Sequence, residues 1–331
     1  MDLEEFLTEW HDESPTLTVH TSGSIGRPKP MVVEKRRMEA SARTTLRFLG
    51  LKAGQTALLC MPLDYIAGKM MVVRALVGGL RLVAVEPSGR PEWNGHIDFA
   101  AMVPLQVWNL LHAGSSERQR LRSVRHLIIG GGAIDEALAC ELHDFPNAVW
   151  STYGMTETLS HIALRRLNGP ERSQWYSPVE GVTLRLSAEG CLVVDAPAVC
   201  AGTIVTNDIA EFRADGYAAS STQFRIVGRK DNTICSGGIK IQAEQVERLL
   251  RPHMQAPFCI TRRKDARLGE AVVLLTEESD AEHLRPLCER VLPRLWKPRH
   301  YLHVDHIPLT ATGKIARHEA EAMAAAMFRD E

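Results

Sequence analysis

The residues with the clearest chemical potential lie near the start of the chain, in the segment 21–29. Backbone N–H groups, hydroxyls and an ammonium together bind polyphosphate, so the segment is predicted to be a phosphate-binding loop that follows a strand and precedes a helix. It is not a Walker A loop, because Gly-x-x-x-x-Gly-Lys cannot be aligned with it. The alternative is a flexible Ser/Gly-rich surface turn. The predicted phosphate contacts come from Thr21, Ser22, Gly23, Ser24 and Lys29.

A second motif, Tyr153-Gly-Met-Thr-Glu-Thr158, follows the end of a predicted strand, which is where open α/β sheets place ligands. Glu157 offers the hard oxygen ligand that Mg²⁺ prefers. Thr156 can hydrogen-bond a phosphate oxygen. The alternative is a solvated carboxylate or a helix cap. The motif therefore predicts a magnesium and phosphate site.

Two further features fit a nucleotide. The run Gly130–Ala133 ends a predicted strand and would let the backbone approach a planar ligand closely, although a glycine-rich turn is also common for structural reasons. Asp208, in Val-Thr-Asn-Asp, could accept hydrogen bonds from two vicinal ribose hydroxyls. The alternative for Asp208 is an Asx-turn.

The elements that would position these motifs alternate between strand and helix as far as about residue 151, and this alternation predicts parallel pairing in an α/β layer. Short runs broken by Gly, Pro, Asp and Asn between Val179 and Val227 predict a mostly antiparallel β subdomain. The rest is predicted to be a compact α+β domain of ~100 residues. The predicted strands are 16–20, 56–60, 81–85, 126–129 and 148–151, and the predicted helices are 34–49, 68–77, 103–111 and 135–142.

These motifs, in this order, resemble the acyl-adenylate-forming superfamily, which includes acyl-CoA synthetases, luciferases and the adenylation domains of peptide synthetases. The resemblance runs from about Val19 to the C-terminus, with one departure, because Ile25 stands where a threonine is usual. It implies an α-phosphate contact from Thr156 and Mg²⁺ ligation by Glu157. It also implies adenine and ribose contacts from Gly131, Gly132, Ala133, Tyr153, Asp208 and Arg229.

The same resemblance implies a large domain over 1–229, divided at about 178/179, and a small mobile domain over 230–331 with its hinge at Asp231. Ser236–Lys240 resembles the glycine loop of the CoA step, with Gly237, Gly238 and Lys240. Lys314 resembles the lysine that drives adenylation, where an ammonium stabilises charge building on the phosphoryl oxygens. The alternative for Lys314 is a solvated cation.

Within the superfamily the chain is most similar to the o-succinylbenzoate–CoA ligases of menaquinone biosynthesis, in a short form with only twenty residues before the phosphate loop. Their acid is an aromatic dicarboxylate, whose unreacting carboxylate needs a partner in an apolar pocket. Arg74 is the candidate partner, the alternative being an arginine that snorkels to the surface. Tyr65, Ser160 and His161 are further candidates for the acyl pocket.

Composition limits the kinds of partner and the cellular location that the sequence predicts. The 331 residues carry a formal net charge of −1, which gives no reason to expect nucleic acid, and no run approaches the ~20 apolar residues of a membrane span. Seven scattered cysteines without a Cys-x-x-Cys pair and an acidic start without a signal-peptide pattern favour the cytoplasm. The expected partners are ATP, CoA and an acid; a homodimer stays open.

The sequence thus predicts an ATP-dependent acid–CoA ligase that uses Mg²⁺. Two alternatives stay open at this point. One is a ligase of the same superfamily that takes another aryl or fatty acid, or passes its acyl group to a carrier protein. The other is a nucleotide-binding module without catalysis, which would have no need of Lys314, Glu157 and Asp231 together.

Overall fold

A computed structural model describes residues 1–20, 30–213, 222–310 and 314–327. The predicted phosphate loop, with Thr21, Ser22, Gly23, Ser24 and Lys29, lies outside the described residues, so its role stays a prediction. The chain divides into two compact units. The first consists of Met1–Arg185, Val193–Ile204 and Phe212–Arg225; the second consists of Leu186–Leu192, Val205–Glu211 and Ile226–Glu331. The predicted domain boundary after residue 229 and the hinge at Asp231 stay predictions.

The first part of the chain alternates strands with helices. Its elements are α1 (Leu3–His11), β1 (Thr16–His20), β2 (Pro30–Glu34), α2 (Lys35–Leu49), β3 (Thr56–Leu59), α3 (Ile66–Gly78), β4 (Arg81–Ala84), β5 (Phe99–Met102), α4 (Pro104–Ala113), α5 (Ser115–Ser123), β6 (His126–Ile129), α6 (Glu136–Glu141), β7 (Ala148–Gly154), β8 (His161–Arg166) and β9 (Ser177–Pro178).

A seven-stranded sheet, in the order β4-β3-β5-β6-β7-β8-β9, forms the centre of the first unit. The strands from β4 to β7 pair in parallel, and β8 and β9 are antiparallel additions at one edge. Every residue of β3 and β5 is buried, as parallel strands covered on both faces require. Alternate residues serve opposite faces, since Ala57 and Leu59 enter one apolar cluster and Leu58 another. The predicted mainly parallel α/β layer is confirmed.

The region around the phosphate loop differs from the prediction. β1 pairs antiparallel with β2, from Thr16 opposite Glu34 to His20 opposite Pro30, in a separate two-stranded sheet. The segment 21–29 therefore joins two strands, and α2 begins only at Lys35. The prediction lacks β2, whereas its helix 34–49 corresponds to α2. Val33 is buried and Val32 is 69% exposed, so the alternation of a half-buried strand outweighs helix formation here.

The remaining elements are β10 (Thr183–Leu186), β11 (Cys191–Asp195), β12 (Ile204–Phe212), β13 (Phe224–Arg229), β14 (Thr233–Ser236), β15 (Ile239–Gln242), α7 (Ala243–Leu250), β16 (Phe258–Asp265), β17 (Gly269–Thr276), α8 (Arg285–Val291), β18 (His300–His303) and α9 (Arg317–Ala326). Strands β10 to β13 form one sheet in chain order.

The C-terminal part is an α+β arrangement, as predicted. Its sheet has the order β15-β14-β17-β16, and β18 pairs in parallel with β17. Phe258 and Ile260 of β16 face a cluster that includes residues of α7 and α8, whereas Cys259 faces Ala320 and Ala324 of α9. Across the part of the chain that the structure describes, no helix combines the length and the apolar character needed to cross a bilayer.

Candidate active site

The carboxyl ends of β6 and β7 bring two of the predicted motifs together. These strands pair in parallel, with Ile129 opposite Ser151, so Gly131–Ala133 and Tyr153–Glu157 leave the same edge of the sheet. A Cβ on Gly130 would lie 2.3 Å from Thr152 Oγ1, and Gly131 has a φ of 77°, a conformation that favours glycine. The two segments form one exposed edge, which suits a planar ligand.

The magnesium motif is held in a fixed turn. Thr156–Thr158 forms a short 3-10 helix in which Thr156 is buried and Glu157 is exposed. Thr158 Oγ1 accepts from Met155 N at 3.1 Å and lies 2.8 Å from Ser160 O. A Cβ on Gly154 would lie 2.3 Å from Ser160 O, so only glycine permits this approach of β7 to β8.

Leu159 closes the same turn at a cost. Its φ is 63° although its side chain is 2% exposed, and among the described residues it is the single non-glycine with a positive φ. Backbone strain of this kind costs roughly 1–3 kcal/mol and persists only where the surroundings enforce it. The surrounding contacts therefore hold the backbone of the Thr156–Ser160 turn in one conformation. Glu157 lies in this turn and is exposed to solvent.

Glu157 fits the Mg²⁺ that was predicted for it. The described ranges contain no group of three or more His, Cys, Asp or Glu side chains that could hold a metal. Mg²⁺ in nucleotide sites takes one or two carboxylates and completes its shell with phosphate oxygens and water. A single exposed carboxylate at the sheet edge is compatible with that chemistry, provided that a nucleotide supplies the phosphates.

Tyr153 belongs to an aromatic group at the same edge. Its ring meets Phe224 edge-on with centroids 5.3 Å apart and lies 6.0 Å from the ring of Tyr176. Tyr176 and Phe224 are themselves stacked at 5.6 Å. Tyr153 is half-buried, so one side of its ring is fixed by packing. Its predicted place beside adenine stays a prediction.

Arg74 is a buried cation of the first unit. It lies on α3 and is 2% exposed, so the alternative of a snorkelling arginine is excluded by its position. Its Nε donates to Thr45 Oγ1 at 3.3 Å, and its Nη2 donates to Ser160 Oγ. Nη1 lies 3.7 Å from Met71 Sδ. Among the residues that the structure describes, no carboxylate pairs with this guanidinium. Burial lowers the pKa of Arg74 to about 10.

His161 completes a closed ring of contacts with Arg74, Thr45 and Ser160. Its Nε2 lies 3.2 Å from Thr45 Oγ1, and its Nδ1 lies 3.4 Å from Ser160 Oγ. Burial and, secondly, the charge of Arg74 lower the pKa of His161 to about 3, so the imidazole is neutral at physiological pH. The four side chains, here called the Arg74 cluster, thus carry one positive charge.

The structure does not bring Tyr65 into the Arg74 cluster. Tyr65 precedes α3 as its N-cap, nine positions before Arg74, which is about 13 Å along a helix axis. It is 43% exposed. The cavity beside His161 is small, about 20 Å³, which holds one water molecule and no aromatic acid. Arg74 does not line this cavity.

The second unit gathers the other predicted residues. Arg229 donates from Nη1 to Asp208 Oδ1 at 3.3 Å and from Nη2 to Asp231 Oδ2 at 3.0 Å. Asn207 Nδ2 donates to the same Asp231 oxygen at 3.3 Å. Lys314 is exposed, yet partial desolvation and the charge of Arg229 lower its pKa, and Asp208 opposes this shift. The predicted ribose pair, the hinge residue and the predicted catalytic lysine therefore interact.

The glycine loop is the turn of a hairpin. β14 and β15 pair from Thr233 opposite Gln242 to Ser236 opposite Ile239, which leaves Gly237 and Gly238 as a two-residue loop. Both have positive φ, 57° and 81°, as a type I′ turn requires. Lys240 is exposed on β15. The turn alone explains both glycines, so their part in a CoA step stays a prediction.

Two residues of the site were missed from the sequence. Thr45 is buried in α2 and links Arg74 to His161, and a polar residue on the buried face of a helix was the available signal. Leu159 gave no signal, because leucine is not typical of left-handed backbone.

Comparison with known proteins places these features in a family. Residues 4–200, more than half of the chain, match the AMP-binding enzyme family. The chain is 25% identical over 335 residues to a 2-succinylbenzoate–CoA ligase of Bacillus cereus, covering 91% of this chain and 68% of that protein. It is 26% identical over 345 residues to a 4-chlorobenzoate–CoA ligase of Arthrobacter sp., covering 92% and 65%.

A solved structure resembles the chain over nearly all of its length. The acyl-CoA synthetase (AMP-forming)/AMP-acid ligase II-like protein of Dyadobacter fermentans is 32% identical, with a TM-score of 0.64 over 95% of this chain and 91% of that one. The curated relatives are longer, since the chain spans about two thirds of their length. The chain belongs to the AMP-binding enzyme family and is an AMP-forming acyl-CoA synthetase of that family.

Proposed function

We propose that this enzyme ligates o-succinylbenzoate to CoA, with ATP converted to AMP and pyrophosphate, as a step of menaquinone biosynthesis. The observation that carries the proposal is the Arg74 cluster. A guanidinium taken out of water without a carboxylate is costly, and proteins keep such groups where a ligand supplies the missing charge. The other members of the cluster, Ser160, His161 and Thr45, are neutral. A substrate carboxylate would therefore be the anion that pairs with Arg74.

The acid fits this cluster by charge. A dicarboxylate brings one carboxylate to the reaction and leaves a second that must be paired inside the protein. Neutral His161 adds no competing charge, and its lowered pKa keeps it neutral throughout the physiological range. The match to a 2-succinylbenzoate–CoA ligase supports this choice of acid.

The reaction would proceed in two steps. In the first, a carboxylate oxygen of the acid bonds to the α-phosphorus of ATP and the bond to pyrophosphate breaks, giving acyl-AMP. Lys314 would stabilise the charge on the phosphoryl oxygens, and Thr156 would hold an α-phosphate oxygen. Glu157 would bind the Mg²⁺ that neutralises the phosphates. In the second step the sulfur of CoA bonds to the acyl carbon, its proton is lost, and AMP leaves.

Within the first unit, both motifs at the sheet edge would contact the nucleotide. Asp208 would accept from the ribose hydroxyls, and its bond to Arg229 orients the carboxylate. Gly131, Gly132 and Ala133 would lie against adenine beside Tyr153. The CoA step would use the turn at Gly237 and Gly238 with Lys240.

All seven cysteines are free, which supports a reducing compartment such as the cytoplasm.

A panel of acids tests the proposed substrate. Pyrophosphate release is measured with ATP and o-succinylbenzoate, 4-chlorobenzoate, benzoate or octanoate, and the thioester is then detected by mass spectrometry after CoA is added. The expected result is the highest kcat/KM for o-succinylbenzoate. Turnover of another acid with none for o-succinylbenzoate would overturn the substrate assignment and leave the ligase activity intact.

Arg74→Met sharpens the same test. Loss of the ion pair to the second carboxylate is expected to raise the KM for o-succinylbenzoate by about 100-fold, because truncating one partner of a buried charge pair costs ~2–5 kcal/mol. The KM for benzoate, which has no second carboxylate, is expected to change by less than about threefold. Arg47→Met is the control, since Arg47 is exposed and paired with Glu180. Equal effects on both acids would contradict the role of Arg74.

A second candidate function rests on a specific match. The relative from Arthrobacter sp. acts, by its name, on 4-chlorobenzoate, and its identity to this chain is as high as that of the 2-succinylbenzoate ligase. A monocarboxylate would leave Arg74 with no substrate anion. The second candidate therefore predicts that Arg74→Met leaves kcat/KM for 4-chlorobenzoate unchanged or raised.

A further inference from the structure

Close to Lys314, the second unit contains a cation that the steps above do not use. Arg317 is the first residue of α9. Its Nη1 and Nη2 donate to Oε1 and Oε2 of Glu247 at 2.6 and 2.7 Å, a bidentate pair, and Nη1 also donates to Ile260 O at 2.8 Å. Glu247, on α7, is 7% exposed. The pair therefore joins α7, β16 and α9 at one point.

Both carboxylate oxygens of Glu247 accept hydrogen bonds. Besides Arg317, its Oε1 accepts from Ile260 N at 2.7 Å. Burial opposes the charge of Arg317, but the hydrogen bond and charge of Glu247 outweigh it and raise the pKa of Arg317. The guanidinium is thus charged at every pH where the enzyme is folded, and its fork geometry fixes direction as well as distance.

Lys314 is connected to this anchor through a short, hydrogen-bonded stretch. Ala316 N donates to Pro308 O at 2.8 Å, and Thr310 N donates to Lys314 O at 2.7 Å. Leu309 and Ile315 form an isolated bridge. Lys314 N donates to Thr310 Oγ1 at 3.1 Å. These contacts close a narrow base directly before α9, so the position of Lys314 follows the position of the helix start.

Apolar packing alone holds α9 weakly. The residues of α9 that are fully buried are Ala320 and Ala324, and alanine side chains bury little apolar area. Met323 of α9 packs against the same cluster but is only half-buried, so the apolar contact of this helix stays small. The bidentate pair at its first residue supplies the directional contact that the apolar face lacks.

We infer that Arg317, held by Glu247, is a positioning residue for adenylation, because it fixes the start of α9 and thereby the placement of Lys314. The inference rests on the proposed role of Lys314 in acyl-AMP formation. Misplacement of a catalytic group by about 1 Å can reduce a rate by about 100-fold. The thioester step, which does not use Lys314, is expected to be insensitive to the same change.

The test separates the two half-reactions. Arg317→Lys keeps the charge but loses the bidentate fork. Acyl-AMP formation is followed by pyrophosphate release with the best acid of the panel, and thioester formation is followed from supplied acyl-AMP and CoA. Arg317→Lys is expected to lower acyl-AMP formation by about 100-fold and to leave thioester formation within about threefold. Equal loss in both half-reactions would overturn the inference, because it indicates a general structural role.

Arg262→Lys is a matched control. Arg262 is on the same strand as Ile260, and its Nε lies 3.3 Å from Oε1 of Glu321. Glu321 is on α9, one turn after Arg317. Arg262 ties the same two elements together away from Lys314. Arg262→Lys is expected to leave both half-reactions within about threefold. A loss of acyl-AMP formation equal to that of Arg317→Lys would overturn the inference.

Two more variants keep the outcome decisive. If Arg317→Lys fails to fold, Glu247→Gln, which retains the shape and a hydrogen bond to Arg317, takes its place with the same expected split. Lys314→Ala is measured in parallel. If it leaves acyl-AMP formation unchanged, the proposed role of Lys314 is wrong and the inference falls with it. If it abolishes acyl-AMP formation while neither Arg317→Lys nor Glu247→Gln changes it, the inference alone is wrong.

Discussion

The guanidinium groups of Arg74, which is buried, and Arg317, which is half-buried, have opposite surroundings. Arg74, in the first unit, is surrounded by hydroxyls and a neutral imidazole, and its pKa is lowered to about 10. Arg317, in the second, is held on both oxygens of Glu247, and its pKa is raised. One cation is desolvated without compensation, and the other is neutralised within the fold.

The difference separates two uses of the same side chain. A cation whose counter-charge belongs to the protein helps to fix the position of the elements that it joins. A buried cation without a protein counter-charge costs folding free energy, and that cost is recovered when an anion binds. Burial alone therefore does not identify a binding residue. The two uses are distinguished by whether the protein itself supplies the opposite charge.

The largest expected effect compares removal of each cation. Arg317→Met leaves Glu247 buried without its partner and is expected to destabilise α7 and β16 by about 3 kcal/mol. Arg74→Met removes an uncompensated charge and is expected to leave α3 and β8 at least as stable as before. Hydrogen exchange of these elements measures each region separately, because one unfolding free energy is not defined for a chain of two units. Destabilisation of both regions by a similar amount would remove the distinction.

A smaller effect follows from the neutral member of the Arg74 cluster. The pKa of His161 is about 3 when folded, below its ordinary value of 6.5, so between these values the unfolded chain binds a proton that the folded chain does not. Stability therefore falls as the pH falls through this window. From about pH 7.5 to about pH 5.5 the loss due to His161 is about 1.4 kcal/mol.

His161→Gln should remove that part of the acid sensitivity, as measured by hydrogen exchange of β8 at the two pH values. His126→Gln is the comparison, since His126 also has a lowered pKa but lies outside the Arg74 cluster. An unchanged acid sensitivity in His161→Gln would mean that His161 is charged beside Arg74, and the cluster would then carry two charges.

The smallest effect tests the hydroxyl that links the cluster. Thr44 and Thr45 both contact the carbonyl four residues earlier in α2, but Thr45 Oγ1 also meets Arg74 and His161. Thr45→Val is expected to destabilise the first unit by about 1 kcal/mol and to raise the KM for o-succinylbenzoate by about fivefold. Thr44→Val should do neither. Equal effects would show that the linking contacts of Thr45 contribute nothing.

Much of the parallel layer could be predicted from the sequence because its patterns are local. The strand 126–129 was predicted with its observed bounds, and α2 begins one residue later than predicted, after Glu34, its N-cap. Gly50 and Gly79 end their helices in the left-handed conformation that glycine adopts easily. Capping and periodicity are properties of neighbouring residues, so they can be seen without tertiary contacts.

Other elements have no local signal. β5 is the short run Phe-Ala-Ala-Met, whose alanines do not favour strands, and it forms because two strands flank it. α5 is polar on nearly all sides and lacks the apolar stripe that identifies a helix. In the site, Arg74 could be singled out by its apolar neighbours along the chain. Its link to Ser160 joins residues 86 positions apart, and no single-sequence pattern contains it.

The division of the chain has a consequence for its synthesis. Leu186–Leu192 and Val205–Glu211 belong to a unit whose remaining residues start at Ile226. A ribosome that adds ~5–20 residues per second needs about 5–20 s to make the rest of that unit, so these two segments emerge well before most of their partners. A chain shortened after Arg225 would carry them permanently without those partners. Attempts to produce the first unit alone should therefore replace or remove both segments.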